Sequence, residues 1–492
     1  LTAAEERDII GPAIDKESPM RITQKAVLVV LLAAAAAAAA PARAADLTKE
    51  EQAWLAKASR EESNGWVYLH IEGQPFARGF QHGYLLAPEI AESLRVEKHM
   101  IWWDTAKDWS YFVDATLKMF ASKIEPEFRE EMEGITAGAR KAGVDLSYGD
   151  VILLNATSEI FSYWYPWSEK AAETPQKGGG CSSFIATGRA TADGRLVLAH
   201  NTWASYATCR SNIVIDLVPD KGFRMLMQSY PAAIHSGTDF FVCSSGIVGS
   251  ETTIDYFHGF DPDGLPEFTR IRRAMQYAPD LDEFMMVLIE GNNGGYANTW
   301  LLGDARSNEI ARLELGLKHH SIERTKDGFY AGSNITENIP LLRDETDADF
   351  DNIKRADIAR RVRWLDLFDQ WVGKVDVERA KAMLADHYDA YLGKERPGSR
   401  TICGHFELDP DPAGPASDSW VKPYYPGGAL DGKVVDAKMA LAMTFWGKWG
   451  SSCDIPFDAE AFLKAHRQYD YLEGYLKSRP TQPWTVFRAK GK

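Results

Sequence analysis

Gly178-Gly179-Gly180-Cys181-Ser182-Ser183-Phe184 is the stretch at which the chain changes character. Ala171–Gly180 before it is polar and carries Gly and Pro, the composition of a linker. Cys181 then opens a predicted strand, Ser182–Thr187. A glycine linker running straight into a strand cysteine admits two readings. In one, the cysteine is a buried strand residue after a flexible loop. In the other, the peptide bond before Cys181 is cut, and the residue then carries a thiol and a free α-amine on one carbon framework. An α-amine titrates near ~8 in model peptides, so it can accept the thiol proton near neutrality. Nucleophile and base would come from a single residue placed by the chain end. The flanking glycines allow the tight turn that brings the Cys181 sulfur to the Gly180 carbonyl.

Outward from this junction the pattern divides. From Leu47 to about Ala142 the spacing is mostly helical, most clearly over Leu117–Lys141, with one strand at Gly65–Glu72 and a turn at Arg78–Gly83. After the junction, short apolar runs predict strands at Ser182–Thr187, Leu196–His200, Ile213–Val218, Met225–Gln228, Phe240–Val242 and Gly246–Glu251. A helix over Arg270–Glu290 follows, then strands at Asn298–Leu302 and Glu309–Leu315, and amphipathic helices at Asp357–Val372 and Val377–Leu392. The end of the chain returns to strands and loops. No internal repeat of 20 to 50 residues is present. Helices, strands, helices and strands again predict an α+β fold with stacked sheets and helices outside.

The 492 residues are 45% hydrophobic and 25% charged, which is the balance of a folded globular protein. The net charge of -15 argues against nucleic acid as a partner, because phosphate binding needs concentrated Lys and Arg. Residues 1–44 read as a leader and signal peptide. Met20-Arg21-Ile22-Thr23-Gln24-Lys25 is a basic start, Ala26–Ala40 an apolar run, and Ala42-Arg43-Ala44 a cleavage site before Ala45. Leu1–Pro19 reads as an upstream extension of it. The apolar run is shorter than the ~20 residues that span a bilayer, so the expectation is export, periplasmic or secreted, without a stable membrane span.

No Gly-x-Ser-x-Gly, phosphate-binding glycine loop, Cys-x-x-Cys or His-Glu-x-x-His occurs, so no cofactor or metal is expected. His319-His320 reads as surface. Of the five cysteines, Cys181 is taken as the free thiol. Cys209, Cys243, Cys403 and Cys453 then allow three pairings, among which Cys403–Cys453 is weakly favoured.

Beyond these local signals the chain resembles the phospholipase B-like family of N-terminal-nucleophile hydrolases, and more distantly the penicillin acyltransferase and acid-ceramidase-like cysteine amidases. The resemblance runs in order through Cys181-Ser182-Ser183, Ala199–Tyr206, Tyr230–Phe241, Ser245-Gly246, Glu251–Ile254, Gly295–Trp300 and Arg400–Cys403. It implies an αββα sandwich of two mainly antiparallel sheets flanked by helices, activated by cleavage between Gly180 and Cys181. Residues 45–180 would be a light chain and 181–492 a heavy chain, and 45–492 one integrated catalytic unit. By the same resemblance Cys181 is the nucleophile, Asn298 the oxyanion donor and His200 a residue that orients or tunes the amine. Trp203, Asn201, Thr252, Thr253 and Arg400 fall around the pocket. Local readings stay open beside these roles: Asn298 also suits a turn, His200 a hydrogen-bonded core position and Trp203 plain packing. His200 stands where the amidase relatives usually carry arginine, which agrees better with the phospholipase B-like branch. The implied activity is hydrolysis of an acyl ester or amide in a lipid or N-acyl small molecule, through a thioester on Cys181. The alternatives are an amidase or acyltransferase on N-acyl or peptide-like substrates, or a non-catalytic exported lipid- or ligand-binding protein.

Overall fold

Two glycine pairs, Gly79/Gly83 and Gly134/Gly138, decide how the first helices meet. The computed structural model describes residues 46–169, 180–208, 212–237, 239–412 and 422–491. The leader and signal peptide, linker residues 171–179, Cys209 and Thr238 lie outside the described residues. The Arg78–Gly83 turn predicted from sequence is instead the middle of a helix, Pro75–Leu85. Its glycines face those of the Pro126–Lys141 helix so closely that a Cβ on Gly79 would lie 2.0 Å from the Glu131 carbonyl oxygen. The glycines that read as a turn are there to let two backbones touch. Between these helices the buried Glu131 carboxylate accepts from Arg78 at 2.6 Å and from Arg272 at 2.8 Å. Removing one partner from such a buried ion group typically costs about 3–5 kcal/mol.

In chain order the strands are β1 (Ser59–Ser63), β2 (Trp66–Gly73), β3 (Gly180–Thr187), β4 (Val197–Ser205), β5 (Ile213–Pro219) and β6 (Met225–Ser229). They continue with β7 (Phe240–Cys243), β8 (Ile247–Thr253), β9 (Asn298–Asp304), β10 (Glu309–Leu315), β11 (His320–Thr325) and β12 (Gly328–Gly332). The last are β13 (Tyr388–Asp389), β14 (Lys394–Glu395), β15 (Gly427–Ala429), β16 (Asp431–Asp436), β17 (Thr444–Trp449) and β18 (Thr485–Arg488). One sheet has nine strands in the order β1-β2-β5-β6-β7-β8-β9-β10-β11. All its pairs are antiparallel except β2 with β5. The other runs β12-β3-β4-β16-β17-β18, with β15 also on β4, and is antiparallel throughout.

The cores place the layers. Ile185 and Leu198 of the second sheet pack against Val214, Leu226, Val248 and Leu301 of the first, so the two sheets are stacked face to face. The other face of the first sheet is covered by helices that include Pro126–Lys141, Glu267–Tyr277 and Leu281–Ile289. On the far side, Phe184, Val197 and Val434 meet Trp364, Leu367 and Leu384 of the Ala356–Trp371 and Val377–Leu384 helices. The result is the expected α+β fold, an αββα sandwich.

Differences from the sequence reading have local causes. The helix expected over Arg270–Glu290 is two, Glu267–Tyr277 and Leu281–Ile289, the second started by Asp280, whose side chain caps the Glu283 N–H. The helix expected to reach Leu392 stops at Leu384, where the chain turns into the β13–β14 hairpin. Gly180 belongs to β3 and not to the linker. His319 is partly exposed and sits 2.9 Å from Asp344, and His320 is exposed at the start of β11.

Candidate active site

Cys181 is the second residue of β3 and pairs with Thr202 of β4, while Ser182 pairs with Asn201 and Ser183 with His200. Side chains alternate across a strand. Cys181, Ser183, Thr202 and His200 therefore share the face directed at the first sheet, where the Ser183 hydroxyl meets that of Ser250 at 2.7 Å. Gly180, Ser182, Asn201 and Trp203 share the opposite face. Cys181 is buried, with its thiol on the face between the two sheets.

The backbone of Cys181 is held on both sides. Its N–H donates to Asn334 Oδ1 at 3.0 Å. The same oxygen accepts from Arg360 Nη2 at 2.9 Å, while Arg360 Nη1 donates to the Cys181 carbonyl and, at 3.1 Å, to Ser182 Oγ. Asn334 follows β12 with φ +73°, a left-handed conformation that asparagine tolerates better than most residues, and its Nδ2 donates to the Thr253 carbonyl at 2.8 Å. Arg360 stands on the Ala356–Trp371 helix, its Nε bonded to the Ala356 carbonyl and its guanidinium 4.1 Å from the centre of the Trp203 ring. Trp203 in turn covers Gly180: a Cβ there would lie 2.8 Å from the indole. The residue before Cys181 is glycine because tryptophan occupies the space of a side chain.

A second buried group lies on the Cys181 face. Lys433 of β16 donates to Asp431 Oδ1 at 2.6 Å and to the Thr202 hydroxyl, and Asp431 Oδ2 accepts from Gln228 at 2.7 Å. Burial pushes the Cys181 thiol up to about 12, and the Asp239 carboxylate adds to this while Lys433 opposes it. In the intact chain the thiol is therefore protonated at neutral pH. Burial also raises Asp239, to about 6, and lifts its hydrogen-bonded neighbour Glu251 further, since two adjacent carboxylates resist joint ionisation. His200 is held neutral by burial and by Lys433, with its Nε2 at 3.1 Å from the Glu251 carbonyl.

The other expected pocket residues divide. Asn298 opens β9 opposite Thr253, and both polar atoms of its buried amide lack a partner. The buried hydroxyl of Thr252 also lacks one; it abuts Gly332, which pairs with Ser183 of β3. Thr253 instead donates to the Tyr296 hydroxyl at 2.8 Å. Asn201 lies on the helix side of its sheet, donating to the Leu384 and Ile402 carbonyls at 2.8 and 3.2 Å and accepting from Ser452 at 2.7 Å. Arg400 is bound to Asp389 at 2.9 Å, and the arginine that reaches Cys181 is Arg360.

Sequence reasoning missed Asn334, Arg360, Asp431 and Lys433. All but Asn334 left a readable trace. Arg360 stands four residues from both Ala356 and Trp364, an arginine in the apolar stripe of its helix. Asp431 and Lys433 are two residues apart in a strand and so share a face. Cys403 and Cys453 are both free thiols, and the expected disulfide between them is not made. Each sulfur lies instead against the ring of His405, 3.6 Å from Cys403 and 3.2 Å from Cys453.

An αββα sandwich with a cysteine held at the head of a central strand defines the class of protein. The chain belongs to the phospholipase B family, whose sequence model, described as Phospholipase B, matches residues 62–313. An uncharacterized protein of Archaeoglobus fulgidus is 29% identical over 262 residues, covering 50% of this chain and 42% of that one. Phospholipase B-like protein F of Dictyostelium discoideum is 32% identical over 137 residues, 26% of this chain and 24% of its own. These alignments thus span less than half of either relative. Phospholipase-B 81 of Drysdalia coronoides is 23% identical over 78% of this chain and 79% of its own. A solved structure of a mutant conjugated bile acid hydrolase from Clostridium perfringens aligns with 55% of this chain and 89% of its own, at 8% identity and a TM-score of 0.33. No described helix is long and apolar enough to cross a membrane.

Proposed function

We propose that the protein is an exported, self-cleaving hydrolase of acyl ester or amide bonds with Cys181 as its nucleophile. The observation that carries this reading is the grip of Asn334 and Arg360 on the N–H and C=O of Cys181. A buried strand residue has its N–H and C=O met as a rule by neighbouring strands, whereas at Cys181 side chains from a loop and a helix take both groups. Activation begins when the Cys181 sulfur attacks the Gly180 carbonyl, forming a thioester and releasing the nitrogen. Water then hydrolyses the thioester, leaving a carboxylate on Gly180 and a free amine on Cys181. The nitrogen that Asn334 Oδ1 already holds becomes the base of the mature enzyme.

In turnover the amine takes the thiol proton and the thiolate attacks the substrate carbonyl. The tetrahedral oxyanion needs preorganised donors. Asn298 Nδ2 is our choice, because it is buried, uncharged and uncommitted, and the Thr252 hydroxyl is a second uncommitted donor. Collapse expels the alcohol or amine, which takes a proton from the Cys181 ammonium. Water attacks the resulting thioester, with the amine again as base. His200, neutral and tied to the Glu251 carbonyl, positions the strand beside the nucleophile. The family and its phospholipase B-like relatives favour a lipid ester as substrate, delivered to an enzyme whose signal peptide has been removed before Ala45.

Wild-type protein kept under mildly acidic and neutral conditions should split into two chains, the larger beginning Cys-Ser-Ser-Phe on N-terminal sequencing. Labelled phosphatidylcholine assayed beside N-acyl amides, compared by kcat/KM, separates the ester from the amide reading. Asn298→Ala should keep the cleavage but lose ~100- to 1,000-fold in turnover, as removal of an oxyanion donor does elsewhere. Unchanged turnover would take Asn298 out of the site.

A further inference from the structure

Behind the second sheet, away from Cys181, four ligand-type side chains converge: His387, Cys403, His405 and Cys453. One ligating atom from each lies within 4.8 Å of the others. They come from three separate segments. His387 follows the Val377–Leu384 helix, Cys403 and His405 lie between β14 and β15, and Cys453 follows β17. We propose that these residues form a structural zinc site of the Cys2His2 type.

Geometry supports the assignment at each residue. A tetrahedral zinc with arms of about 2.3 Å to sulfur and 2.0–2.1 Å to nitrogen has sulfur–nitrogen edges of about 3.5–3.6 Å. The distances from His405 Nε2 to the sulfurs of Cys403 and Cys453 are 3.6 and 3.2 Å. Two sulfurs thus lie against one imidazole nitrogen, and Cys453 Sγ also reaches Ser451 Oγ at 3.4 Å. A cation at their centre would bind both sulfurs and the nitrogen at once. His405 Nδ1 lies 2.8 Å from Glu407 Oε1, and the other Glu407 oxygen accepts from Tyr206 at 3.0 Å. A carboxylate behind a ligating histidine fixes the tautomer that leaves Nε2 free for metal. Nε2 of His387 is buried without a hydrogen bond. Cys403 and His405 are buried, whereas His387 and Cys453 are partly exposed and give the ion a way in. A disulfide between the two sulfurs would use neither histidine nor the Glu407 carboxylate behind one of them.

The surroundings say what the site would do. Cys403 N–H donates to the Asp386 carbonyl at 3.1 Å, joining two of the three segments beside their ligands. Asn201 of β4 reaches the neighbours of two ligands, Ile402 and Ser452, as well as Leu384. Gly404, between two ligands, packs on Trp203, where a Cβ would lie 2.4 Å from the indole. The ion would therefore lock the wall behind Trp203 and Gly180. Binding deprotonates the two thiols and releases two protons to solvent, with no redox change.

The full-length protein, reduced without oxygen, should be loaded with zinc chloride and passed through gel filtration with a weak chelator. About one zinc per chain is expected by elemental analysis. Stripping it with a strong chelator should lower the melting temperature by at least ~5 °C. Cobalt chloride in place of zinc should give the intense visible bands and thiolate charge-transfer absorption of a tetrahedral site, a readout that needs no variant. Cys453→Ser and His387→Ala should each retain zinc only at background level. The proposal is overturned if reduced wild-type protein retains no zinc, or if either variant retains as much as wild type. It is also overturned if the cobalt spectrum is octahedral, or if the exported protein is zinc-free with Cys403 and Cys453 joined in a disulfide by peptide mapping.

Discussion

Cys181 and the Cys403–Cys453 pair are held in opposite ways. At Cys181 the protein grips the main chain: Asn334 takes the N–H, Arg360 takes the C=O, and the thiol is left among buried ionisable groups. At Cys403 and Cys453 it grips the sulfurs themselves, through an imidazole backed by a carboxylate. A side-chain grip on the main chain would suit a residue whose nitrogen is to become a functional group, as we propose for Cys181. A grip on sulfur serves a residue whose side chain is to be a ligand. On the two proposals, Cys181 and the Cys403–Cys453 pair thus divide into chemistry and architecture by which atoms are satisfied.

The strongest way to break this division is Cys181→Ala. Chain cleavage should vanish and hydrolysis should fall by ~1,000-fold or more, while about one zinc per chain is still retained. Gel electrophoresis, substrate turnover and elemental analysis read the three quantities on one sample. Cleavage persisting in the variant would show that the main-chain grip has another purpose, and loss of zinc would show that the two regions are not independent.

Arg360→Met sharpens the same contrast from the other side. It keeps the length and apolar stem of the side chain but removes the donors that hold Asn334 Oδ1 and the Cys181 carbonyl. Self-cleavage should slow by ~100-fold, because the scissile peptide loses its fixed orientation. Destabilisation of about 3–5 kcal/mol should accompany it, since Asp255 and Asp357 lose the buried cation that faces them. A time course of cleavage beside denaturant unfolding separates the two. Unaltered cleavage in a folded variant would reduce Arg360 to a packing residue on Trp203.

Much of the layering was legible in the sequence because alternation of apolar residues follows from burial on one or both faces of a strand. Phe240–Val242 and Glu309–Leu315 could be read that way, and their predicted bounds agree closely with β7 and β10. The Gly79/Gly83 helix was not legible, because glycine encodes both a turn and a close helix crossing, and only the partner glycines on another helix decide between them. The site divides similarly. Cys181 is announced by the glycines beside it. Asn334 and Arg360 reach it through sheet pairing and helix packing, which carry no local motif. The proposed zinc cluster was invisible for the same reason: its residues run from His387 to Cys453, and only Cys403 and His405 are close enough in sequence to be noticed as a pair.

The smallest expected effect tests the ionisable surroundings that distinguish the Cys181 region. Burial raises Asp239 to about 6 from 3.8, with the hydrogen bond from Glu251 and the Lys433 charge holding it from rising further. The folded chain thus binds this proton more tightly than the unfolded chain. The stability this contributes is fully present below the unfolded value of about 4 and fades as pH rises through about 6. Asp239→Asn cannot titrate. The stability of the wild type relative to this variant should therefore decline between about pH 4 and 6.5, by on the order of 1–3 kcal/mol. Other groups titrate in this window, Glu159 and His235 among them, but they are common to both proteins and cancel in the difference. Because Glu251 shares the carboxyl pair, Asp239→Asn with Glu251→Gln should remove whatever slope remains. Unfolding in denaturant across that pH range measures it. A flat difference would mean that Asp239 binds its proton no more tightly in the folded chain than in the unfolded one.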